Sequence, residues 1–419
     1  MSPEPLDVYW RLPSHGDPVS PRDSTLRRGD WTPTTPASIA PGPDDHVSYV
    51  EHLGDIARAA ELAGFAGALI PSFPVTDDPW VIASALARQT TTFRFMVAFQ
   101  PGFLHPAHAA HLSASLQRLT GGRLVYNVIT GGGGPDQLWW GDPVPHDERY
   151  ARTKEFLEVL RGVWDGGPFD FDGRHYSVVG GGLAEPLRGQ PFPQIWFSGS
   201  SDAAIDAAGA HADIYLSWLE PLDALRAKMD RVRERAAALG RTPRFGVRLD
   251  ILARPTHDEA WNEARRGFAA ADPDAPRPWA RAGQGDSVGA ARQRRLLGDG
   301  SRPGSAEDLL VAPNLWAGFH LLRPGPTLGV VGDYAAAAER IDDLVALGVD
   351  AFILAGVPHL EEALRVGEEV LPLLRRPVRT FSSPPGSTVA STPASPASPA
   401  ASTPASPAAS SSVPSLVSS

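Results

Sequence analysis

The feature that most constrains this chain is a beat. Short runs of aliphatic and aromatic residues alternate with longer stretches of helical spacing, and the pattern comes round eight times. The runs are Val8 to Leu12, Gly67 to Pro71, Phe93 to Phe99, Leu124 to Ile129, Gln194 to Phe197, Ile214 to Trp218, Phe245 to Ala253 and Ala351 to Ala355. Helical patterning fills Asp45 to Leu62, Trp80 to Ala87, His108 to Leu119, Glu148 to Trp164, Ala203 to Ala210, Leu222 to Leu239, His257 to Ala270, Tyr334 to Leu347 and His359 to Leu374. Strands that are almost continuously apolar belong in a parallel sheet covered on both faces. Eight repeats favour an α/β fold of the closed (β/α)8 TIM-barrel type over a doubly wound sheet.

Three segments break the beat. Pro168 to Val179 carries an Asp-Gly pair at Asp172 and Gly173 between aromatic and β-branched residues, the pattern of a small inserted hairpin. Gly16 to Asp45 is rich in Pro, Asp, Thr, Ser and Arg without usable periodicity and reads as a surface excursion near a site, or as local disorder. Asp272 to Leu309 mixes Pro, Gly, Asp and many arginines, too polar for core and too long for a plain connection, and reads as a lid between strand seven and strand eight. Residues 1–380 thus form one barrel domain. Residues 381–419, made of Ser, Pro, Ala and Thr with repeats of the type ASTPASPA, form a tail that cannot bury enough to fold.

Composition removes several function classes. A net charge of −10 over 419 residues argues against nucleic acid as the main partner, since phosphate binding needs a concentrated basic surface. The chain has no cysteine, which excludes disulfides, thiolate metal sites and a cysteine nucleophile. The first thirty residues lack a signal-peptide pattern and no apolar run is long enough to span a bilayer, so the expected location is the cytoplasm, away from membrane.

In a barrel, functional residues sit at the carboxyl ends of the strands. Those ends supply His15, Thr76 with Asp77, Gln100, Asn127 with Thr130, Ser198 to Ser201, Trp218 with Glu220, and Arg248 with Asp250. Asn127 and Thr130 lead into four glycines, which are either a tight turn or a wall that a flat ligand approaches closely. Ser198 to Ser201 run into a helix start, the setting for a bound phosphate or for an ordinary serine cap. Arg248 and Asp250, two apart on one strand, point the same way into the barrel. His105, His108 and His111 recur at spacing three, but no carboxylate accompanies them, so they read as capping or surface residues and no metal is expected. The glycine clusters near Gly131 and Gly180 do not fit the dinucleotide-binding G-x-G-x-x-G pattern.

The motifs PSHGD at Pro13 to Asp17, ALIP at Ala68 to Pro71, DPW at Asp78 to Trp80, NVITG from Asn127, HDERY at His146 to Tyr150, SGSSD from Ser198, DIYLSW from Asp213, FGVRL from Phe245, DSVG at Asp286 to Gly289, PNLWAG at Pro313 to Gly318 and PHLEEALRVGE from Pro358 resemble those of the alkanesulfonate monooxygenases. These belong to the bacterial luciferase-like, FMNH2-dependent flavin monooxygenases, and the similarity runs in order from Val8 to Leu374. The resemblance implies a TIM barrel with a late lid, molecular oxygen as co-substrate, and reduced FMN supplied by a separate NAD(P)H-dependent flavin reductase. It also implies a homo-dimer or homo-tetramer. Carried onto matching positions, it implies flavin contacts from Asn127 and Thr130, phosphate contacts from Tyr150, Ser200 and Ser201, and an anion held by His15, Arg248 and the lid residue Arg302. The implied reaction is C–S cleavage of a small organosulfur compound such as an alkanesulfonate, giving an aldehyde and sulfite.

The chain departs from that pattern at three pocket positions: Asp250 replaces a histidine, Thr76 a cysteine and Val357 a tyrosine, beside Trp218. A carboxylate next to Arg248 offsets its charge and disfavours a sulfonate. Three other classes stay open: a deazaflavin-dependent hydride-transfer oxidoreductase of the same superfamily, a metal-dependent barrel hydrolase, and a flavin-binding protein that has lost catalysis.

Overall fold

The structure, a computed structural model, describes residues 4–14, 48–73, 76–271, 285–297, 303–322 and 328–381. The strands in chain order are β1 Asp7–Arg11, β2 Gly67–Ile70, β3 Arg94–Phe99, β4 Leu124–Val128, the hairpin β5 Phe169–Asp172 and β6 Ser177–Gly181, then β7 Ile195–Ser198, β8 Ile214–Trp218 and β9 Arg244–Arg254. Further on come β10 Leu310–Ala312, β11 Leu315–Trp316, β12 Gly329–Asp333 and β13 Ala351–Ala355. Eight of them close a parallel barrel in the order β1-β2-β3-β4-β7-β8-β9-β13, with β13 returning to β1. The (β/α)8 expectation holds.

Strand parity builds two separate cores. Residues on one face of each strand fill the barrel: Tyr9, Met96, Val125, Trp196, Ile214 and Ile353 form one buried cluster. Trp196 is its centre, with the Tyr9 ring edge-on at 5.3 Å. Gly246 makes room for it, since a Cβ there would lie 3.0 Å from the indole. The opposite faces pack against the helices in a larger cluster that includes Val8, Trp10, Phe95, Phe197 and Leu249.

The helices begin at the carboxyl ends of the strands, and local chemistry fixes where. Asp78, Ser201, Thr256 and Asp333 cap the helices Pro79–Leu86, Asp202–His211, His257–Ala270 and Tyr334–Leu347 by accepting from N–H groups of the first turn. His105 caps Pro106–Thr120 through Nδ1, which accepts from the Ala107 N–H at 3.3 Å. The histidine series therefore starts on a structural cap.

The elements that the hydrophobic beat leaves out lie near the mouth. The glycine run passes into a short helix, Gly134–Trp139. β12 is a ninth parallel strand: β9 outruns the barrel, pairing with β13 over Gly246 to Asp250 and with β12 over Asp250 to Arg254. The antiparallel pieces β10 and β11 continue from β12. Within the segment read as a lid, Val288–Arg295 is a helix rather than irregular chain. His15, Arg302, most of the Gly16 to Asp45 excursion and the tail from residue 382 lie outside the described residues.

Beyond the mouth, Arg254 ends β9 inside a buried ionic cluster. Its Nε and Nη2 donate to Glu263 at 2.6 Å each, and its Nη1 donates to Glu362 at 3.1 Å. Arg365 also pairs with Glu362, which is fully buried. Among the described residues no helix is long and apolar enough to cross a membrane.

Candidate active site

The barrel mouth holds a cavity of about 270 Å³, floored by the ends of β3, β4, β7 and β8. Asn127 sits beside Ala98 in the β3–β4 register, so Asn127 and Gln100 project on the same face of neighbouring strands. Asn127 is 6% exposed, and its Oδ1 and the Oε1 of Gln100 are buried without a hydrogen-bond partner among the described residues. Leaving a buried acceptor unmade costs about 1–3 kcal/mol, so two on one floor point to donors that a ligand brings. Gly131 closes this end at φ 95°; a Cβ there would come within 2.2 Å of Gln137 Oε1 and 2.7 Å of Gln100 Oε1. Gln137 is oriented by donating to Asp142, which in turn accepts from Arg152 at 2.9 and 2.6 Å.

The other end is a hydroxyl-lined helix start. Ser201 accepts from the Ala204 N–H at 3.2 Å, so the start of Asp202–His211, where first-turn N–H groups lack intrahelical partners, adjoins the cavity lined by Ser198 to Ser201. Gly199, at φ 150°, lets the chain turn there, because a Cβ would lie 2.4 Å from Ala204 Cβ and 2.9 Å from Tyr150 Oη. Burial pushes the Tyr150 phenol up, against the opposing effects of Ser201, Arg149 and Thr130 around it. Tyr150 therefore stays a neutral donor at neutral pH.

A segment inserted after β9 forms the remaining wall. The Asp286 N–H donates to the Gly132 carbonyl at 2.9 Å, and its carboxylate pairs with buried Arg149 at 2.5 Å. Ser287 then caps Val288–Arg295, and Val288, Gly289 and Ala290 line the cavity. At the far end of that helix Gln293 donates to the Leu219 carbonyl at 2.9 Å, and Arg292 forks onto Glu220 at 2.9 and 2.5 Å. Lys228 reaches the same carboxylate at 2.7 Å.

Of the residues expected from sequence, the cavity brings together Asn127, Thr130, Tyr150, Ser200, Ser201, Trp218 and Arg248. Three others stand elsewhere. Asp250 is 0% exposed, two residues beyond Arg248 toward the carboxyl end of β9, and does not line the cavity. Thr76 does not line the cavity; its hydroxyl closes its own turn, accepting from the Phe73 N–H at 2.9 Å and donating to the Phe73 carbonyl at 3.0 Å. Val357 is packed in the outer core and likewise does not line it. Sequence reading did not single out Gln137, Lys228, Arg292 or Arg149. They come from helices and the inserted segment, where no strand-end rule applies; the segment itself was expected at the site as a lid.

Comparison with known proteins places these features in context. Residues 32–351 match the family model described as luciferase-like monooxygenase. Among solved structures, the chain is similar to a riboflavin lyase determined with modified FMN and substrate riboflavin, at 20% identity and a TM-score of 0.67, covering 91% of this chain and 94% of that one. A long-chain alkane monooxygenase is similar at 19% identity and a TM-score of 0.66, over 90% and 93% of the two chains. An F420-dependent secondary alcohol dehydrogenase, bound to an F420-acetone adduct, is similar at 17% identity and a TM-score of 0.57, over 78% of this chain and 96% of that one.

Proposed function

Because the chain belongs to the luciferase-like monooxygenase family, we propose that it is a two-component monooxygenase that takes reduced FMN from a separate NAD(P)H-dependent flavin reductase and uses O2. The observation that carries this reading is the pairing within one cavity of two unpartnered buried carbonyls, on Asn127 and Gln100, with a serine-lined helix start. A flavin matches both: its pyrimidine edge offers an N–H donor, and its phosphate suits the helix start. Reduced FMN, when bound, supplies the two electrons that activate O2. Asn127, Thr130 and Gln100 orient the ring, Tyr150, Ser200 and Ser201 hold the phosphate, and the inserted segment with His15 and Arg302 excludes water and positions substrate. The enzyme works in the cytoplasm as a homo-dimer or homo-tetramer.

The substrate is a small organosulfur compound, with an alkanesulfonate as first candidate through Arg248 in the lining. With a sulfonate, one oxygen atom ends in the aldehyde and the other in water; the carbon–sulfur bond breaks, sulfite leaves, and a proton is released. Asp250, two residues further along the same strand face, weakens the anion hold. Neutral sulfones therefore belong in the same test. Purified protein with a reductase, NAD(P)H and a panel of sulfonates and sulfones should release sulfite from the sulfonates and a sulfinate from the sulfones, and Asp250→His should raise turnover of sulfonates relative to sulfones. No sulfite from any sulfonate, in either protein, would sink the sulfonate reading while leaving the flavin reading standing.

A further inference from the structure

The cavity has a second end that the flavin contacts leave unused. β2 stands three places round the barrel from β7, with Gln100 after β3 and Asn127 on β4 between them. Where the β7 end carries serines, the β2 end carries Leu69, Pro71 and Phe73, and Trp140 joins the lining from the turn after the helix Gly134–Trp139. All four are apolar. Arg248 lines the same cavity from β9, three places from β2 on the other side.

The two aromatic side chains of this wall are held from behind. Phe73 keeps 42% of its surface exposed at the mouth, yet Thr76 closes its turn. The Thr76 N–H donates to the Phe73 carbonyl at 3.0 Å, while Thr76 Oγ1 accepts from the Phe73 N–H at 2.9 Å and donates to the same carbonyl at 3.0 Å. A thiol, which the resembling sequences carry at this position, donates and accepts only weakly. Trp140 is half-buried and meets the Phe103 ring edge-on at 4.6 Å. Its neighbours Gln137 and Asp142 are hydrogen-bonded to each other, and Arg152 anchors Asp142 at 2.9 and 2.6 Å. A rigid aromatic surface gives up little entropy when a ligand covers it. Ring-on-ring contacts add to the burial of area, and a flat ring has no chain torsions to freeze, as an alkyl chain of the same size has.

We propose that this wall receives an aromatic ring, so that the substrate is an arylalkanesulfonate with its ring against Phe73 and Trp140 and its sulfonate toward Arg248. The proposal rests on the sulfonate reading above. Thr76 is a positioning residue that sets Phe73. The ring must reach sulfur through a CH2 group: the carbon–sulfur bond breaks, one atom of O2 becomes the carbonyl of an arylalkanal and the other leaves in water. Two electrons come from reduced FMN, and sulfite and a proton are released.

The test is calorimetric titration of the full-length chain, with excess oxidised FMN present, using 2-phenylethanesulfonate, octanesulfonate and ethanesulfonate. The phenyl compound should bind at least about tenfold more tightly than ethanesulfonate, and more tightly than octanesulfonate. Phe73→Ala and Trp140→Ala should each cut the phenyl-to-ethane ratio about fivefold. Phe73 is exposed enough that its variant keeps the test valid where Trp140→Ala fails to fold. Thr76→Val should lower the ratio in the same direction, and Thr76→Ser should restore it. A wild-type ratio near one, tighter binding of octanesulfonate, or a ratio unmoved in Phe73→Ala overturns the aromatic wall. Sulfite release with a reductase and NAD(P)H separates the two readings. Ring preference without sulfite from any of the three leaves the ring site standing and overturns the sulfonate reading; sulfite from all three at equal affinity does the reverse.

Discussion

Gly199→Val abolishes FMN binding, by roughly a hundredfold or more, while the barrel stays folded. The position is constrained twice over. Its φ of 150° lies where side chains are strained, and a Cβ would sit 2.4 Å from Ala204 Cβ and 2.9 Å from Tyr150 Oη. Relief can come only by moving the first turn of Asp202–His211 or by displacing Tyr150, and each movement takes hydroxyls and N–H groups away from the place where the phosphate binds. Riboflavin, which has no phosphate to lose, should weaken far less. Gly141→Ala separates strain from crowding: its φ is 75° with nothing within 4 Å of the added Cβ, and it lies outside the cavity. Binding titrations with thermal melts of both variants check this, and FMN affinity close to wild type in Gly199→Val would remove the helix start from the cofactor site.

The largest effect on stability is expected at Arg254→Leu, a loss of about 3–5 kcal/mol at neutral to alkaline pH. The leucine fills part of the volume, so the cost is mainly electrostatic: Glu263 and Glu362 remain buried after the guanidinium that binds both is gone. Burial already holds the Glu263 carboxyl at about 7, even with Arg254 pulling it down, and pushes the Glu362 carboxyl up as well. A raised carboxylate pKa means that the folded state takes up protons before the unfolded one does as pH falls. The destabilisation should therefore be greatest above pH ~7 and shrink as pH drops toward the ordinary carboxylate value near 4.5. Denaturant melts of both proteins across that range give the slope, and a penalty that grows on acidification would contradict it.

Much of the barrel was legible because its strands are apolar runs, and a run such as Val125 to Val128 cannot be mistaken for a loop. β12 was missed for the converse reason: Gly329-Val330-Val331-Gly332-Asp333 has only two apolar residues, flanked by glycines, and is recruited by the long overhang of β9. The helix Val288–Arg295 is arginine-rich with little apolar periodicity, and it is held by Glu220 and the Leu219 carbonyl, with Arg149 pairing Asp286 just before it, all partners far away in sequence. For the site, the strand-end rule reached Asn127, Thr130, Ser200 and Ser201, because direction along a strand fixes which residues meet at the mouth. Thr76, which the rule also named, has its hydroxyl used within its own turn and does not line the cavity, and Val357, a position taken from the resemblance, lies in the outer core. Lys228 was beyond it altogether. Nothing in a polar helix marks the one lysine that turns inward to meet Glu220.

Anaerobic titration of the full-length chain with reduced FMN, beside the same titration with reduced deazaflavin F420, tests the flavin assignment most directly. Saturable one-to-one binding of reduced FMN, with deazaflavin bound at least about tenfold more weakly, is the expected result. Tight binding of the deazaflavin with little or no binding of reduced FMN would contradict a reduced-flavin monooxygenase and move the protein to hydride transfer.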